Sequence, residues 1–376
     1  MKLSNVFFTC SLFFLSLLFF SQLFFSQQCF AKDSIKAIYI PLADHYPGIV
    51  AYEKYHEQME HADFKIEKMK SWRLLRAYFR SGEVDLAFII SPMALDMFAK
   101  KPDFRWISLI HRDGNALAIN DLFNQSVKLP YNRLDRKADD KVANAIREYN
   151  KKNNEPIQVG VPSLLATHTV ILYKYLNDNG LKLAIGEAKP GDDVVAITVP
   201  PAKSPVFIKK QNNYGKPAAF EQSLPWADVV ETQDYGKVAW YSKDVLHWPK
   251  GHVECIIIAS DKAIKSKRKA IQEVINYIHQ AGIDIDHARM EGGKEMEQII
   301  SMIRKHIPSH NAEAIKQSLR WDLDVIKYHF LNPEISAMRQ IMKLALEGQI
   351  IKDSINLDAF IDESFKTNIK QEEHEH

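Results

Sequence analysis

Residues 84–92 read VDLAFIISP, a run that is apolar except for Asp85 and that ends in a serine–proline pair. The run Val84–Ile90 follows Gly82 and has the length of a strand, which indicates a strand that is buried on both faces. Ser91 and Pro92 then predict the start of a helix, with Ser91 as the N-cap and proline at the first helical position. The stretch therefore predicts one strand-to-helix unit of an α/β protein.

Similar units lie on both sides of this stretch. Ile35–Ile40 is predicted to be a strand that leads into the turn Pro41–Pro47, and Gln158–Val161 is a strand followed by a helix from about Ser163. Strands that alternate with helices indicate parallel sheets with helices on their faces. The order of the elements predicts two α/β blocks, the second inserted into the first.

The N-terminus has the pattern of an export signal. Val6–Phe25 is apolar and uncharged, and it is followed by Cys29-Phe30-Ala31. This pattern predicts a secretory signal over residues 1–31, cleaved after Ala31, and a periplasmic protein. An uncleaved membrane anchor stays open, since about 20 apolar residues can span a bilayer. Lipidation of Cys29 is less favoured because Gln27 and Gln28 are poor neighbours for it.

Composition excludes several classes of function. The net charge is +2 with no basic stripe, so nucleic acid is not an expected partner. Cysteines occur at positions 10, 29 and 255, so the cleaved chain keeps one thiol and cannot form an internal disulfide. The sequence has no Gly-x-Ser-x-Gly elbow, His-Glu-x-x-His, P-loop or dinucleotide motif. We therefore expect a protein that is not an enzyme and has no cofactor. We also expect it to be a monomer.

Several short segments, taken in their order and spacing, resemble one family. It is the nitrate/sulfonate/taurine/bicarbonate group of substrate-binding proteins of ABC importers, which have the type II periplasmic-binding fold. The segments that carry the resemblance are Pro41–Pro47, Ser71-Trp72, Ser81–Ala87, Ser91–Met93, Asp113–Ala116, Pro162–His168, Leu224–Trp226 and Gly251–Cys255.

The resemblance implies two α/β lobes that close over a ligand in the cleft between them. Lobe one would hold residues 32–118 and 256–376, and lobe two residues 119–255. The protein would deliver a small polar or anionic solute to an ABC permease and its ATPase. Two alternatives stay open: an enzyme of the same fold in pyrimidine or thiamine-precursor metabolism, and a ligand-binding sensory protein.

The resemblance also selects the candidate ligand-binding residues, most of which have a purely structural alternative. Trp72 would face the ligand or pack in the core, and His168 would bind an anion or cap its helix. Asn115 would offer its amide to the ligand or form a turn. The group reads Gly-Glu-Pro-Trp where this chain has Ser-Leu-Pro-Trp, which argues against a simple nitrate site. The candidates are His45, Tyr46, Trp72, Ser91, Met93, Asn115, His168, Ser223 and His252.

The segment His247–Cys255 also raises the question of a metal site. His247, His252 and Cys255 are residue types that bind zinc, but their spacing matches no common zinc motif. Cys255 opens an apolar run, which is the setting of a small buried side chain. The sequence alone therefore predicts no metal.

Overall fold

The computed structural model describes residues 31–369, so the predicted signal, apart from Ala31, lies outside the described residues. Its strands follow one another along the chain as β1 Asp33–Tyr39, β2 Ala62–Lys68, β3 Leu86–Ile90, β4 Phe104–Leu109, β5 Arg112–Asp113, β6 Asn115–Asn120, β7 Ile157–Val161, β8 Leu183–Ile185, β9 Val194–Thr198, β10 Ala218–Ser223, β11 Gly236–Tyr241, β12 Cys255–Ser260 and β13 Ile326–Lys327.

The α-helices lie between these strands and dominate the C-terminal third. They are α1 Tyr46–Tyr55, α2 Trp72–Ser81, α3 Ser91–Lys100, α4 Asp121–Val127, α5 Lys141–Asn153, α6 Thr167–Asp178, α7 Ser204–Asn213, α8 Trp226–Thr232, α9 Asp261–Glu291, α10 Gly293–His306, α11 Ala312–Ser318, α12 Ile335–Glu347 and α13 Leu357–Phe360. No helix within residues 31–369 combines the length and the apolarity needed to cross a membrane.

The first large sheet has the order β2-β1-β3-β12-β4. β1 runs parallel to β2 and β3, whereas β12 runs antiparallel to β3 and β4. β3 is buried along its whole length, as its apolar run predicts. The helix after it begins at Ser91 itself, with Ile90 in the N-cap position, so the N-cap assignment of Ser91 was wrong. The Ser91 side chain is therefore free to face another part of the protein.

The second large sheet has the order β11-β6-β10-β7-β9-β8. β7, β8, β9 and β10 are parallel, while β6 runs antiparallel to β10 and β11. The predicted α/β class is confirmed. The lobe boundaries after residues 118 and 255 stay predictions, and β6, which spans the first of them, pairs with strands of this second sheet.

The direction of the strands brings chosen residues to one edge of each sheet. In the first sheet, Cys255 at the start of β12 lies opposite Ile90 at the end of β3. In the second, Asn115 at the start of β6 lies opposite Ser223 at the end of β10. Each sheet therefore collects polar side chains at the edge where its parallel strands end, which is where open α/β sheets bind ligands.

Candidate functional site

The edges of the two sheets where their parallel strands end face each other. The turn after β1 meets the end of β10, because Ala43 N–H donates to Leu224 C=O at 2.7 Å. Ser91 Oγ, from the first sheet, lies 3.4 Å from Thr167 Oγ1, from the second. Ser223 Oγ donates to Asp44 Oδ2 at 2.7 Å. The two sheets are therefore joined by polar contacts between side chains that are buried from solvent.

Nine polar residues form this contact, and we call them the polar cluster. All are fully buried. They come from the turn after β1, from the β4–β5 connection, from the starts of β6, β12 and α6, and from the end of β10. They are Asp44, His111, Asn115, Thr167, His168, Glu221, Ser223, Glu254 and Cys255.

A chain of contacts runs through the polar cluster. Because the Ser223 hydroxyl donates to Asp44, the second contact of Ser223 Oγ, at 2.9 Å, must be a bond donated by His168 Nε2. His168 Nδ1 then carries a lone pair, and it lies 3.3 Å from Glu254 Oε1. This contact is favourable only if Glu254 holds a proton.

The pKa values agree with that assignment. Burial, together with the charge of Asp44, raises the pKa of Glu254 well above its ordinary value. Burial lowers the pKa of His168 to about 3, so its ring is neutral. Hydroxyl, imidazole and carboxyl in this order suggest a nucleophilic triad. However, as long as Ser223 donates to Asp44, His168 Nε2 donates to Ser223 and has no lone pair with which to deprotonate it.

The polar cluster lacks a balancing positive charge. Burial raises the pKa of Asp44 to about 7 and that of Glu221 well above its ordinary value. Besides burial, only the other carboxyls and nearby hydroxyl, thiol, amide or backbone groups shift the pKas of Asp44, Glu221 and Glu254. No lysine or arginine among residues 31–369 contributes.

Many polar atoms in and around the polar cluster have no hydrogen-bond partner of normal geometry. An unsatisfied buried polar group costs about 1–3 kcal/mol, so such groups are rare in isolation and rarer as a group. Their concentration at one place makes the polar cluster the candidate ligand-binding site. They are Asp44 Oδ1, His111 Nδ1, His168 Nδ1, both amide atoms of Asn115, and both carboxyl oxygens of Glu221 and of Glu254, with His45 Nε2, Trp72 Nε1 and His252 Nε2 close by in the fold.

The structure brings some of the predicted site residues together. Asn115, His168 and Ser223 belong to the polar cluster, and Ser91 touches it through Thr167. The imidazoles of His45, His252 and His168 lie close enough to His111 to contribute, after burial, to the lowering of its pKa.

Others lie at its margin or outside it. The Trp72 ring packs edge-on against His45, with 6.0 Å between the ring centroids. Tyr46 Oη instead contacts His310 Nδ1 at 2.9 Å. Met93 is buried in α3. His247 is exposed. It is of a residue type that binds zinc, as are His252 and Cys255, but the spacing of the three matches no common zinc motif.

Sequence reasoning missed all three acidic side chains and one histidine of the polar cluster. Asp44 and Glu254 lie within segments that carry the family resemblance, next to His45 and Cys255, so their position offered a signal. Glu221 and His111 offered none, because they join the site only through the pairing of β10 with β6 and of β12 with β4.

A family comparison adds to this geometry. The model of the NMT1-like family matches residues 31–301. The chain belongs to the NMT1-like family. The match covers both large sheets, including every residue of the polar cluster. No curated protein matches the sequence of this NMT1-like chain.

Solved structures share the fold of this NMT1-like protein at low sequence identity. The periplasmic nitrate-binding protein NrtA of Synechocystis PCC 6803 is 18% identical with a TM-score of 0.71, over 89% of this chain and 87% of that one. A ligand-binding component of an ABC-type import system from Staphylococcus aureus, solved with zinc bound, is 17% identical with a TM-score of 0.68, over 89% and 98%. The periplasmic aliphatic sulphonate-binding protein SsuA of Escherichia coli is 14% identical with a TM-score of 0.61, over 88% and 98%. The fold is that of the periplasmic binding proteins.

Proposed function

We propose that this protein is an extracytoplasmic solute-binding protein that captures a small polar solute and delivers it to an ABC permease and its ATPase. It acts as a monomer, reaches the periplasm through the signal in residues 1–31, and does no chemistry on its ligand. The family match and the shared fold support this proposal, since the similar structures are binding components of import systems.

One observation carries the proposal. Asp44, Asn115, Glu221 and Glu254 are fully buried where the two sheets meet, and each keeps polar atoms without partners. A rigid core would not leave so many polar atoms unsatisfied. A solute that enters between the sheets and hydrogen-bonds to both of them accounts for the arrangement.

The lobes of this proposal are built on the two large sheets, with the polar cluster at their contact. Hinge closure around a ligand is a common mode of domain motion in periplasmic binding proteins. The solute would enter while the sheet edges are apart, and contacts such as Ser223–Asp44 and Ser91–Thr167 would form as they close.

The ionisation of the site favours solutes that donate hydrogen bonds. The site has neutral imidazoles and carboxyls, and no lysine or arginine among residues 31–369 contributes to it. It therefore offers an oxyanion no positive charge. Carboxyl and amide oxygens suit ligands that present several N–H or O–H groups. The binding test should also include nitrate, sulfonates and bicarbonate, the anions that the resemblance suggests, as comparison ligands.

The experiment is native mass spectrometry of the purified protein, followed by calorimetric titration with the compound that is released. We expect one small molecule per chain and a smaller radius of gyration in X-ray scattering when it is added back. A protein that carries no small molecule, binds none of the solutes tested and keeps its radius would refute the role.

A matched pair of histidine variants shows whether binding uses the polar cluster. His168→Ala removes a ring that contacts Ser223 and Glu254, and should weaken binding about ten- to hundredfold if its bond with the solute is charge-assisted. His279→Ala removes another buried ring, whose two nitrogens are already bonded to Ser108 and Thr367. This control should lower stability but leave the affinity unchanged.

A further inference from the structure

Three side chains of the polar cluster have ligand atoms close enough together to share one ion. Asp44 Oδ2 lies 3.5 Å from His111 Nε2 and 3.7 Å from Cys255 Sγ. Ligand atoms of all three residues lie within 4.8 Å of one another, and all three residues are fully buried. They come from distant parts of the sequence, and the pairing of β12 with β3 and β4 brings them together.

These separations are those of a tetrahedral metal site. Zinc binds carboxylate oxygen and imidazole nitrogen at about 2.0–2.2 Å and thiolate sulfur at about 2.3 Å, so neighbouring ligands of a tetrahedron lie about 3.3–3.8 Å apart. The two separations measured from Asp44 fall within that interval. An ion could therefore be bound with only small movements of the three side chains.

Unused bonding capacity at the same place supports an ion. Asp44 Oδ2 accepts a bond from Ser223 Oγ at 2.7 Å, whereas the other oxygen of this carboxyl, Oδ1, has no hydrogen-bond partner. His111 Nε2 accepts only a long bond, at 3.3 Å, from the Cys255 N–H, which a metal could readily replace. The partners of the three ligand residues thus leave room for coordination.

The surroundings favour a cation over a neutral group. Asp44, Glu221 and Glu254 are all fully buried where the two sheets meet. A divalent ion would supply an opposite charge beside Asp44 and so allow this buried carboxyl to ionise. The imidazoles of His45, His168 and His252 around His111 are also good ligands for transition metals.

We propose that Asp44, His111 and Cys255 bind one divalent transition-metal ion of the zinc type, with the fourth position open to water or to a solute. Sulfur and imidazole nitrogen select such an ion over Ca²⁺ and Mg²⁺, which prefer oxygen ligands. On binding, the Cys255 thiol becomes a thiolate and releases its proton to solvent. The inference goes beyond the transport role, because it holds whether or not the protein serves an importer.

The test is a titration of the chelator-treated, purified protein with Co²⁺, followed by absorption spectroscopy. We expect one Co²⁺ per chain, a near-ultraviolet thiolate-to-cobalt charge-transfer band, and displacement of Co²⁺ by Zn²⁺. Zn²⁺ should also raise the melting temperature of the parent protein, whereas Mg²⁺ should not. Absence of both the band and the zinc-dependent stabilisation in the parent would overturn the proposal.

Variants assign the site to these three residues. Cys255→Ser should abolish the band. His111→Ala should weaken Zn²⁺ binding by at least about a hundredfold, because loss of a residue that only supports a metal ligand already costs up to about that much. His279→Ala is the matched control and should bind as the parent does, since its ring is bonded elsewhere. Each variant is checked for native circular dichroism. Binding that persists with the parent's band in Cys255→Ser would place the metal at other residues and refute the site.

Failure of this test and failure of the transport role remain distinguishable. If the protein releases and rebinds an organic solute but shows no Co²⁺ band, the transport role stands and the metal site falls. If Co²⁺ binds through Cys255 but no solute and no closure are found, the metal site stands alone.

Discussion

Two buried groups of charged residues in this protein are built in opposite ways. The polar cluster contains carboxyls and imidazoles without a cation. The second group, which we call the arginine cluster, consists of Arg133, Arg136, Asp228 and Glu231, all with little exposure.

In the arginine cluster, most hydrogen-bonding groups have partners and the positive and negative charges face each other. Arg136 uses its whole guanidinium: two bonds reach the Glu231 carboxylate, each at 2.9 Å, and three reach the carbonyls of Pro130, Tyr131 and Val238. Burial alone would raise the pKa of Glu231, but the bond from Arg136 and the charges of both arginines outweigh it and lower the pKa. A cluster that balances its own charge fixes the fold, whereas one that does not is available for a ligand.

The largest effect that this comparison predicts is on stability. Arg136→Met should lower the free energy of unfolding by about 3 kcal/mol, the lower end for breaking a buried ion pair because Arg133 still faces Glu231. Arg268→Met, which removes an exposed arginine that pairs with Asp362, should cost less than about 1 kcal/mol. Chemical denaturation measures both. Equal losses in the two variants would contradict the structural role of the arginine cluster.

Two asparagines at opposite ends of β6 sharpen the comparison. Both are fully buried, but Asn120 accepts a bond from Phe123 N–H at 3.0 Å and donates to Lys216 C=O at 2.9 Å, whereas neither amide atom of Asn115 has a hydrogen-bond partner of normal geometry. Asn120→Ala should therefore cost about 1–3 kcal/mol of unfolding free energy. Asn115→Ala should cost less than that and instead weaken binding of the solute.

The measurement is denaturation of both asparagine variants without ligand, followed by calorimetry with the released solute. Loss of stability in Asn115→Ala as large as in Asn120→Ala would mean that Asn115 belongs to the structural core and not to the site.

The smallest predicted effect is a dependence of stability on pH. Burial, with the charges of Glu254 and Asp44, raises the pKa of Glu221 well above its ordinary value, so the folded protein holds a proton that the unfolded chain releases. This stabilisation is fully present below pH 4.5, the ordinary pKa of a glutamate. It is lost as the pH rises toward the raised pKa of Glu221 in the folded protein. The buried histidines, whose pKas are lowered, act oppositely, but only below their ordinary value of 6.5.

Between about pH 6.5 and 8, the carboxyls therefore determine how the free energy of unfolding changes with pH. The free energy of unfolding should fall as the pH rises, by at most about 1.4 kcal/mol per pH unit for each carboxyl. Glu221→Gln should reduce this slope. Glu53→Gln is the control, because the pKa of Glu53 is lowered and its carboxyl does not titrate in this range. Denaturation curves across the range measure both, and an unchanged slope in Glu221→Gln would contradict the assignment.

The sequence by itself determined the class of the fold and its main elements. Leu86–Ile90, within the predicted run Val84–Ile90, became β3, and Gln158–Val161 became part of β7, because apolar runs of this length are typical of strands in a sheet covered on both faces. The same local signals placed a helix after each of these strands. They misplaced the N-cap by one residue, because Ser91 uses its hydroxyl near Thr167 and not on its own helix.

Only the tertiary structure decided which polar residues meet. His168 and Ser223 stood out because their segments carry a family resemblance, but nothing local shows that Ser223 bonds to Asp44 or that Glu254 faces His168. Those contacts depend on strand pairing and on the meeting of two sheets, which bring together residues far apart along the chain. The ionisation of the site follows from the same cause, since burial and the absence of a neighbouring cation are properties of the folded protein and not of any segment.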